Sequence, residues 1–288
     1  MNCNSCNSPE YHDFSKPSCF FTKTQLTVVK CSDCGLIFLN PRPDKKLGLE
    51  YFENAYSNAL GFEDISYYRD LDLILRRNKV RFESINKLPA PNRKILDFGA
   101  GQGHFVKIAS DQNWFAQGIE HSIAGQNSAK QNLGIDLLSS VNELNTSDFG
   151  IITLWDVIEH LEDPKQTLIE LSQYLHPKGY FIIETSNIDS LDYIVHKKKW
   201  SYWHIDHLFY YSKTSINFLF HTMGFRQIIN YTIDNTVKKS KSELFKKLIK
   251  MLSPKNFYLS LKLRLISYKY KDFDVKSLMT VVFQKNES

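Results

Sequence analysis

Apolar and polar residues alternate along most of this chain in a pattern that predicts strands and helices in turn. The segments between the predicted strands, notably 105–113 and 164–175, carry apolar residues at helical spacing. Strand-like apolar runs occur at 94–98, 115–120, 134–138 (the weakest), 149–154 and 180–185. This order predicts a parallel sheet covered by helices on both faces, which is the doubly wound α/β class.

The pattern also predicts how the chain continues and divides. After 185 it predicts a helix over 212–223, ended by Gly224, and strands over 225–233 and 278–284. Upstream, residues 67–88 have the two faces of a helix. We therefore expect three units, namely a small module over 1–45, a helical linker or cap over 46–90 and an α/β domain over 91–288.

The segment 96–103, with the sequence Leu-Asp-Phe-Gly-Ala-Gly-Gln-Gly, carries the clearest chemical signal. Strand, glycine turn and helix in this order are typical of nucleotide-binding α/β domains. A dinucleotide fingerprint would have a glycine at 104, where this chain has His104. Glu120 follows Asp97 by 23 residues and ends the next strand, near the offset at which a carboxylate receives ribose hydroxyls. The pattern favours an adenosine ligand other than a dinucleotide.

Four blocks, in this order, resemble the class I S-adenosylmethionine-dependent methyltransferases, in the branch that contains ubiquinone-type and sugar methyltransferases. They are the glycine segment 96–103, Glu120, the block 154–164 and the block 175–187. The resemblance implies a Rossmann-like, mostly parallel sheet with an antiparallel last strand, and S-adenosylmethionine as cofactor. One departure is Gly150, where the family usually has an acid before the fourth strand.

The resemblance also implies which residues hold the cofactor. The glycine turn would cradle its methionine and ribose, Asp97 would lie near its amino end, and Glu120 would hold the ribose diol. The adenine would lie near the loop that contains Asn142. The implied cofactor-binding residues are Asp97, Gly99, Ala100, Gly101, Gly103, Glu120, Asn142 and Trp155.

Two histidines are candidates for catalysis, because each follows a predicted strand at the carboxyl edge of the sheet, where ligands bind. Methyl transfer needs positioning and, for a hydroxyl acceptor, a base. His160 is a candidate base, with capping or orientation of the next helix as the alternative. His207 lies in an aromatic segment, 200–211, which forms either a wall for a sugar or aromatic acceptor or an aromatic cluster over the sheet.

The N-terminal module has two Cys-x2-Cys pairs, and we expect them to bind a structural zinc ion. Cys3, Cys6, Cys31 and Cys34 supply four thiolates, which close a tetrahedral site and stabilise a module too short to fold alone. Four unligated thiols are the alternative, and Cys19 is expected to fill apolar space. Similar two-knuckle N-termini precede sugar and polysaccharide methyltransferases, so this resemblance favours a saccharide acceptor.

The net charge of +5 is unevenly placed, because residues 238–271 contain eleven Lys or Arg and one acid. This basic insertion, 234–277, is a solvated helical face, a surface for anionic lipid or a nucleic-acid site, in that order of preference. No secretory signal or membrane span is evident in the sequence. We therefore expect a cytoplasmic protein, with a peripheral position at the inner membrane face as the second expectation.

Together these features predict an S-adenosylmethionine-dependent methyltransferase that O-methylates a saccharide, a nucleotide sugar or another small molecule. One alternative is an RNA methyltransferase that binds RNA through the zinc module and the basic insertion. A catalytically silent adaptor that keeps the fold is the other alternative. A small-molecule or glycan acceptor is the expected partner, and nucleic acid is less expected because block 154–164 lacks an Asn-Pro-Pro-Tyr sequence.

Overall fold

A computed structural model of the protein describes residues 2–44, 70–231 and 277–286. Its strands are β1 (Tyr11–Ser15), β2 (Val28–Cys31), β3 (Ile37–Leu39), β4 (Lys94–Phe98), β5 (Phe115–Ile119), β6 (Phe149–Trp155), β7 (Leu175–Ser186), β8 (Phe209–Tyr210), β9 (Phe225–Tyr231) and β10 (Leu278–Lys285). Its α-helices are α1 (Leu71–Ile85), α2 (His104–Asp111), α3 (Ile123–Leu133), α4 (Pro164–Ser172), α5 (Leu191–His196) and α6 (Lys213–Thr222).

The larger sheet has the order β5-β4-β6-β7-β10-β9. The first four strands in this order run parallel, and β10 is antiparallel to both of its neighbours, β7 and β9. The predicted mostly parallel sheet with an antiparallel last strand is confirmed. The weak strand predicted at 134–138 is reduced to a single parallel bridge between Ile119 and Leu138.

Side chains from alternate positions of the parallel strands enter two separate apolar cores. Ile95 and Ile151 pack with α1 and α2 on one face, and Leu96 and Ile152 pack with α4 and α6 on the other. Every residue of β6 is buried. Because both faces of the sheet are covered, its central strands are continuous apolar runs, which is why the sequence pattern located them well.

A second, smaller sheet joins the N-terminal module to the α/β domain. Its order is β1-β2-β3-β8, and β8 comes from the predicted aromatic segment 200–211. In the antiparallel contact of β3 with β8, Ile37 is opposite Tyr210 and Phe38 is opposite Phe209. The N-terminal module is therefore joined to the α/β domain by a shared sheet.

The aromatic side chains of segment 200–211 form a core between this small sheet and the larger domain. Trp200 and Trp203 are fully buried and pack with Leu26, Val28 and Ile37 of the N-terminal module. Of the two predicted interpretations of the segment, the aromatic cluster is the one that these side chains form. Their burial leaves them no surface with which to line an acceptor site.

The predicted unit boundaries 1–45, 46–90 and 91–288 stay predictions, because residues 45–69 lie outside the described part of the chain. The basic insertion 234–277 lies outside it as well, apart from Ser277. Within the described residues, no helix has both the length and the apolar character that crossing a bilayer requires.

The turn between β4 and α2 brings the backbone close to its neighbours. Gly99, Gly101 and Gly103 all have positive φ, at 77°, 56° and 77°. A Cβ placed on Gly99 would lie 2.4 Å from Cγ2 of Val157, closer than carbon atoms pack. Glycine at 99 is therefore required both by its backbone conformation and by the loop that follows β6.

Gly99→Ala should destabilise the protein more than Gly134→Ala. Both substitutions place a side chain at positive φ, which costs about 1–2 kcal/mol, but a Cβ on Gly134 meets nothing within 4 Å. We expect Gly99→Ala to lose about 1–3 kcal/mol more from overpacking, measured as the free energy of unfolding in denaturant. Val157→Ala should restore most of the difference in the double variant, and equal losses in the two alanine variants would contradict this account.

Candidate active site

A cavity of about 630 Å³ opens at the carboxyl ends of β4 and β6. Its volume is within the range of about 300–1,000 Å³ that is typical of small-molecule sites. The residues that line it include Arg42, Ile74, Asn78, Arg81, Asp97, Gly99, Ala100, Gly101, His104, Glu120, Trp155, Asp156, His160, Glu162, Asp206 and Leu208. The N-terminal module, α1, the glycine turn and segment 200–211 therefore all contribute to one site.

Glu120 is held against the glycine turn by backbone donors. Its Oε2 accepts a hydrogen bond from the Gly101 amide at 2.7 Å, and its Oε1 accepts one from the Ser122 amide at 2.8 Å. These donors fix the orientation of the carboxylate beside the cavity. A carboxylate can accept hydrogen bonds from two adjacent hydroxyls of a ligand.

Asp97 is buried at the end of β4, 2% exposed, where its Oδ1 accepts a hydrogen bond from Thr153 Oγ1 at 2.6 Å. Burial raises the pKa of Asp97 to about 7, although the Thr153 hydrogen bond and the positive charge of Arg81 oppose this. A cation bound in the cavity would favour the charged carboxylate and lower that pKa. The site therefore suits a ligand that carries a positive charge near Asp97.

Helix α1 covers the cavity through an ion-pair cluster at the edge of the sheet. Arg77 contacts Glu184 at 2.7 Å, and Arg81 contacts Asp156 at 2.7 Å. Burial would raise the pKa of Glu184, but Arg81 and Arg77 outweigh it and hold that pKa below its usual range. The Arg81 guanidinium also lies 4.9 Å from the ring centroid of Trp155. This cluster attaches α1 to the ends of β6 and β7.

Two of the buried polar atoms in the cavity wall that have no hydrogen-bond partner among the described residues belong to aromatic rings. They are Nε1 of Trp155 and Nδ1 of His104. Burial also lowers the pKa of His104, so its ring is neutral and able to accept or donate a hydrogen bond. Buried polar atoms without partners are uncommon, and these two are available to a ligand.

His160 and Asp206 form a partly buried pair on another side of the cavity. Nδ1 of His160 lies 3.3 Å from Oδ2 of Asp206 and 3.0 Å from its backbone carbonyl oxygen. Burial disfavours the imidazolium, but the charges of Asp206 and Glu159 outweigh it and raise the pKa of His160 to about 9. At neutral pH this histidine is therefore mainly protonated. Only the neutral fraction can accept a proton.

His207, the second predicted catalytic residue, is buried beside this pair rather than in the cavity wall. Its ring centroid lies 4.7 Å from that of His160 and 4.3 Å from that of His204. Burial, with the nearby positive charges of His204 and His160, lowers its pKa well below the usual value. A catalytic role for His207 stays a prediction, and its position allows it to act only through His160.

Most of the predicted cofactor-binding residues lie together around the cavity. Asp97, Gly99, Gly101, Glu120 and Trp155 line the cavity, as does Ala100. Gly103 lies just behind them and caps α2 with its φ of 77°. Asn142 is exposed on a short 3₁₀ helix over Val141–Glu143 and does not line this cavity, so its contact with a cofactor stays a prediction.

Several cavity residues were not predicted from the sequence. Arg81 is four residues after Arg77 on the predicted helix and falls among its buried positions, which is a usable signal for a buried ion pair. Asp206 lies in segment 200–211, from which His207 was the residue predicted to take part in catalysis. Arg42 has no local signal, because it reaches the cavity only through the fold of the module.

The four cysteines of the two pairs meet at one point of the N-terminal module. Their sulfur atoms all lie within 4.8 Å of one another, with Cys3 to Cys34 and Cys6 to Cys31 at 3.5 Å. None of them forms a disulfide. A hydrogen bond from Cys34 lowers the pKa of Cys3 to about 5, so a thiolate is favoured in the cluster. Four convergent sulfurs form a donor set that could hold a tetrahedral metal ion.

Comparison with curated proteins finds relatives among methyltransferases. A ubiquinone biosynthesis O-methyltransferase of Rickettsia typhi is 28% identical over 124 residues, covering 41% of this chain and 48% of the relative. A tRNA U34 carboxymethyltransferase of Desulfotalea psychrophila is 30% identical over 124 residues, covering 39% of each. The chain spans about half the length, or less, of these two relatives.

Solved structures share the fold at low identity. The plantazolicin methyltransferase BamL, solved with a desmethyl-plantazolicin analogue and SAH, has a TM-score of 0.54 at 15% identity, covering 85% of this chain and all of that one. A chain of the complex between the Haloferax volcanii methyltransferase activator Trm112 and a methyltransferase has a TM-score of 0.53 at 15% identity, covering 76% of this chain and 94% of that one. These likenesses describe the fold alone.

The glycine turn, the carboxylate held against it and the strand order agree with the result of a family comparison. The family model described as "Methyltransferase domain" matches residues 67–229, which include α1, most of the residues that line the cavity and most of the larger sheet. The prediction of a methyltransferase domain is confirmed, and the chain belongs to the methyltransferase-domain family.

Proposed function

We propose that the protein is an S-adenosylmethionine-dependent O-methyltransferase that acts on a hydroxyl group of a small molecule. The observation that carries the proposal is one cavity with two chemically different sides. The glycine turn with Glu120 and Asp97 forms one side, and the His160–Asp206 pair forms another. The first suits the methyl donor, and the second suits an acceptor that must lose a proton.

The residues of the first side fit S-adenosylmethionine. Glu120 would accept hydrogen bonds from the ribose diol, and the positive-φ glycines would allow close approach of the cofactor to the backbone. Asp97 would face a positively charged part of the cofactor, which would compensate the cost of burying its carboxylate. The cofactor supplies an activated methyl group, so the protein's contribution is chiefly orientation.

The second side supports a hydroxyl acceptor. Neutral His160 would take the proton of an acceptor hydroxyl, and Asp206 would stabilise the imidazolium that forms. Because the pKa of His160 is about 9, the neutral fraction grows as the pH rises from 7 to 9. Relatives named ubiquinone biosynthesis O-methyltransferases also favour transfer to oxygen.

Within this reaction we retain a saccharide or nucleotide sugar as the proposed acceptor. The N-terminal module lines the cavity with Arg42 and Pro43, so its presence bears on acceptor choice and not only on stability. The support is the resemblance of the two-knuckle N-terminus to those of sugar methyltransferases. Trp200 and Trp203 are buried and cannot contact an acceptor. The aromatic segment 200–211 therefore does not support a saccharide acceptor through these two side chains.

We also propose that Cys3, Cys6, Cys31 and Cys34 hold a structural zinc ion. The convergence of their sulfurs supports this, as does the backbone at each pair, where Asn7 donates to the carbonyl of Cys3 and Gly35 to that of Cys31. With four protein ligands the coordination is complete, so zinc would stabilise the module and would not act on the acceptor.

Asp97→Ala should weaken S-adenosylmethionine binding, measured by calorimetry, by about 10–100-fold, because it removes a charged partner of the cationic cofactor. Gly101→Arg should abolish binding by filling the turn. Asp136→Ala, which removes an exposed carboxylate, is the matched control and should bind normally. Circular dichroism checks that each variant is folded, and wild-type affinity in folded Asp97→Ala would rule out this cofactor site.

Purified protein should contain about one zinc ion per chain, and Cys31→Ser should lose it, because three sulfurs no longer close the tetrahedron. Metal content is measured by plasma mass spectrometry on protein purified without added metal. Cys19→Ser removes a buried cysteine that is outside the cluster and should retain the metal. Absence of zinc from the wild type, or its retention in Cys31→Ser, would refute the metal proposal.

Transfer of a radiolabelled methyl group should label a small hydroxyl compound in a screen of nucleotide sugars, glycans, phenols and RNA. The wild type and His160→Gln are compared, with Asp136→Ala as control. Label on small hydroxyl acceptors that depends on His160 supports the proposal. Label on RNA instead would favour the RNA methyltransferase, and cofactor binding without transfer to any acceptor would favour the silent adaptor.

A further inference from the structure

Both contacts of Asp206 with His160 are made to the same ring nitrogen. The carboxylate oxygen and the backbone carbonyl oxygen of Asp206 lie 3.3 Å and 3.0 Å from Nδ1. Two acceptors at one nitrogen require that nitrogen to carry the hydrogen. When His160 is neutral, its lone pair is therefore on Nε2, and the tautomer is set by Asp206.

The position of Asp206 is itself fixed by two backbone hydrogen bonds of Leu208, which is two residues further along the segment. The amide of Leu208 donates to the carbonyl of Glu159 at 2.8 Å, which ties the segment to the turn that carries His160. The amide of Leu39 in β3 donates to the carbonyl of Leu208 at 3.0 Å. The cysteine module thus holds the segment from one side, and the loop after β6 holds it from the other.

Resting on the function proposed above, we propose that Asp206 is a positioning residue for methyl transfer, which fixes the tautomer of His160 and stabilises its protonated form. Its role is to act through the histidine rather than on the substrate. The proton that leaves the acceptor hydroxyl goes to Nε2 of His160, and the resulting positive charge is compensated by the carboxylate beside Nδ1.

The charged and titratable groups around His160 agree with this assignment. Glu159 precedes it in the same turn, and Asp206, His207 and His204 face it from segment 200–211. The two histidines from that segment are neutral at pH 7, because their pKa values are lowered. The pKa of Asp206 is lowered as well, because His160 outweighs its burial, so Asp206 stays charged.

The test is a histidine NMR titration, which does not depend on catalysis. Ring ¹³C signals are followed against pH in wild type, Asp206→Asn, Asp206→Glu and Asp136→Asn, and His160→Gln identifies the His160 signal. We expect His160 to titrate near pH 9 in the wild type and in Asp136→Asn. Asp206→Asn should lower that value by about 1–2 pH units, because an opposite charge is lost, and Asp206→Glu should restore part of it.

Each outcome of the titration decides the proposal. A wild-type His160 that titrates at or below about 6.5, the ordinary value, would overturn it, and so would identical titration in Asp206→Asn. Should Asp206→Asn not fold, the wild-type value alone decides. Failure to transfer methyl groups would refute the proposed function, but the titration of His160 could still be measured. The two failures are therefore distinguishable.

In an active preparation, the pH dependence of kcat/KM gives a second readout. The rising limb for wild type should follow His160 near pH 9, because the base must be neutral. In Asp206→Asn the limb should move to lower pH while the plateau falls, since the imidazolium loses its compensating carboxylate although the backbone carbonyl still holds the hydrogen on Nδ1. A purely structural role for Asp206 would lower the plateau without moving the limb.

Discussion

The antiparallel contact between β3 and β8 is the constraint on which the position of the His160–Asp206 side of the cavity depends. It pairs only Ile37 with Tyr210 and Phe38 with Phe209. Through it, residues near the N-terminus and residues that follow β7 are held in one layer. Because segment 200–211 also bonds to the turn after β6, a displacement of the cysteine cluster would be transmitted to Asp206 and His160. The N-terminal module can in this way affect the geometry of the His160–Asp206 pair.

The ion pairs of α1 are a second constraint, of a different physical kind. A buried ion pair gains little net stability over a well-packed apolar contact, but an unpaired buried charge is expensive. Glu184 is fully buried and meets both Arg77 and Arg81, so α1 can dock in only one register without leaving a charge unpaired. These ion pairs therefore fix the position of α1, and α1 covers the cavity beside Trp155.

The sequence predicted those features that depend on short-range patterns. The strands β4 and β6, and β7 from Gly179 onward, are almost entirely buried, so their apolar runs were visible. The glycine turn followed from the acid and glycine spacing at 97–103. Strand β8 was not predictable, because two residues have no periodicity and become a strand only by pairing with β3. Arg81 and its acids are 75 and 103 residues apart, which no local pattern registers. His207 was predicted from segment 200–211, but it is buried behind the cavity wall, and its neighbour Asp206 lines the cavity.

Under the proposed function, the two titratable sides of the cavity are linked by charge. Asp97 has a pKa of about 7 because it is buried, and His160 one of about 9 because carboxylates outweigh its burial. A cationic cofactor would favour ionised Asp97 and, as a like charge in the same cavity, would disfavour the imidazolium of His160. Cofactor binding would then release protons from both residues and increase the neutral fraction of His160. The form of the histidine that can accept a hydroxyl proton is therefore favoured when the methyl donor is in place. Binding of the methyl donor before the acceptor would thus increase the fraction of His160 that can act as a base.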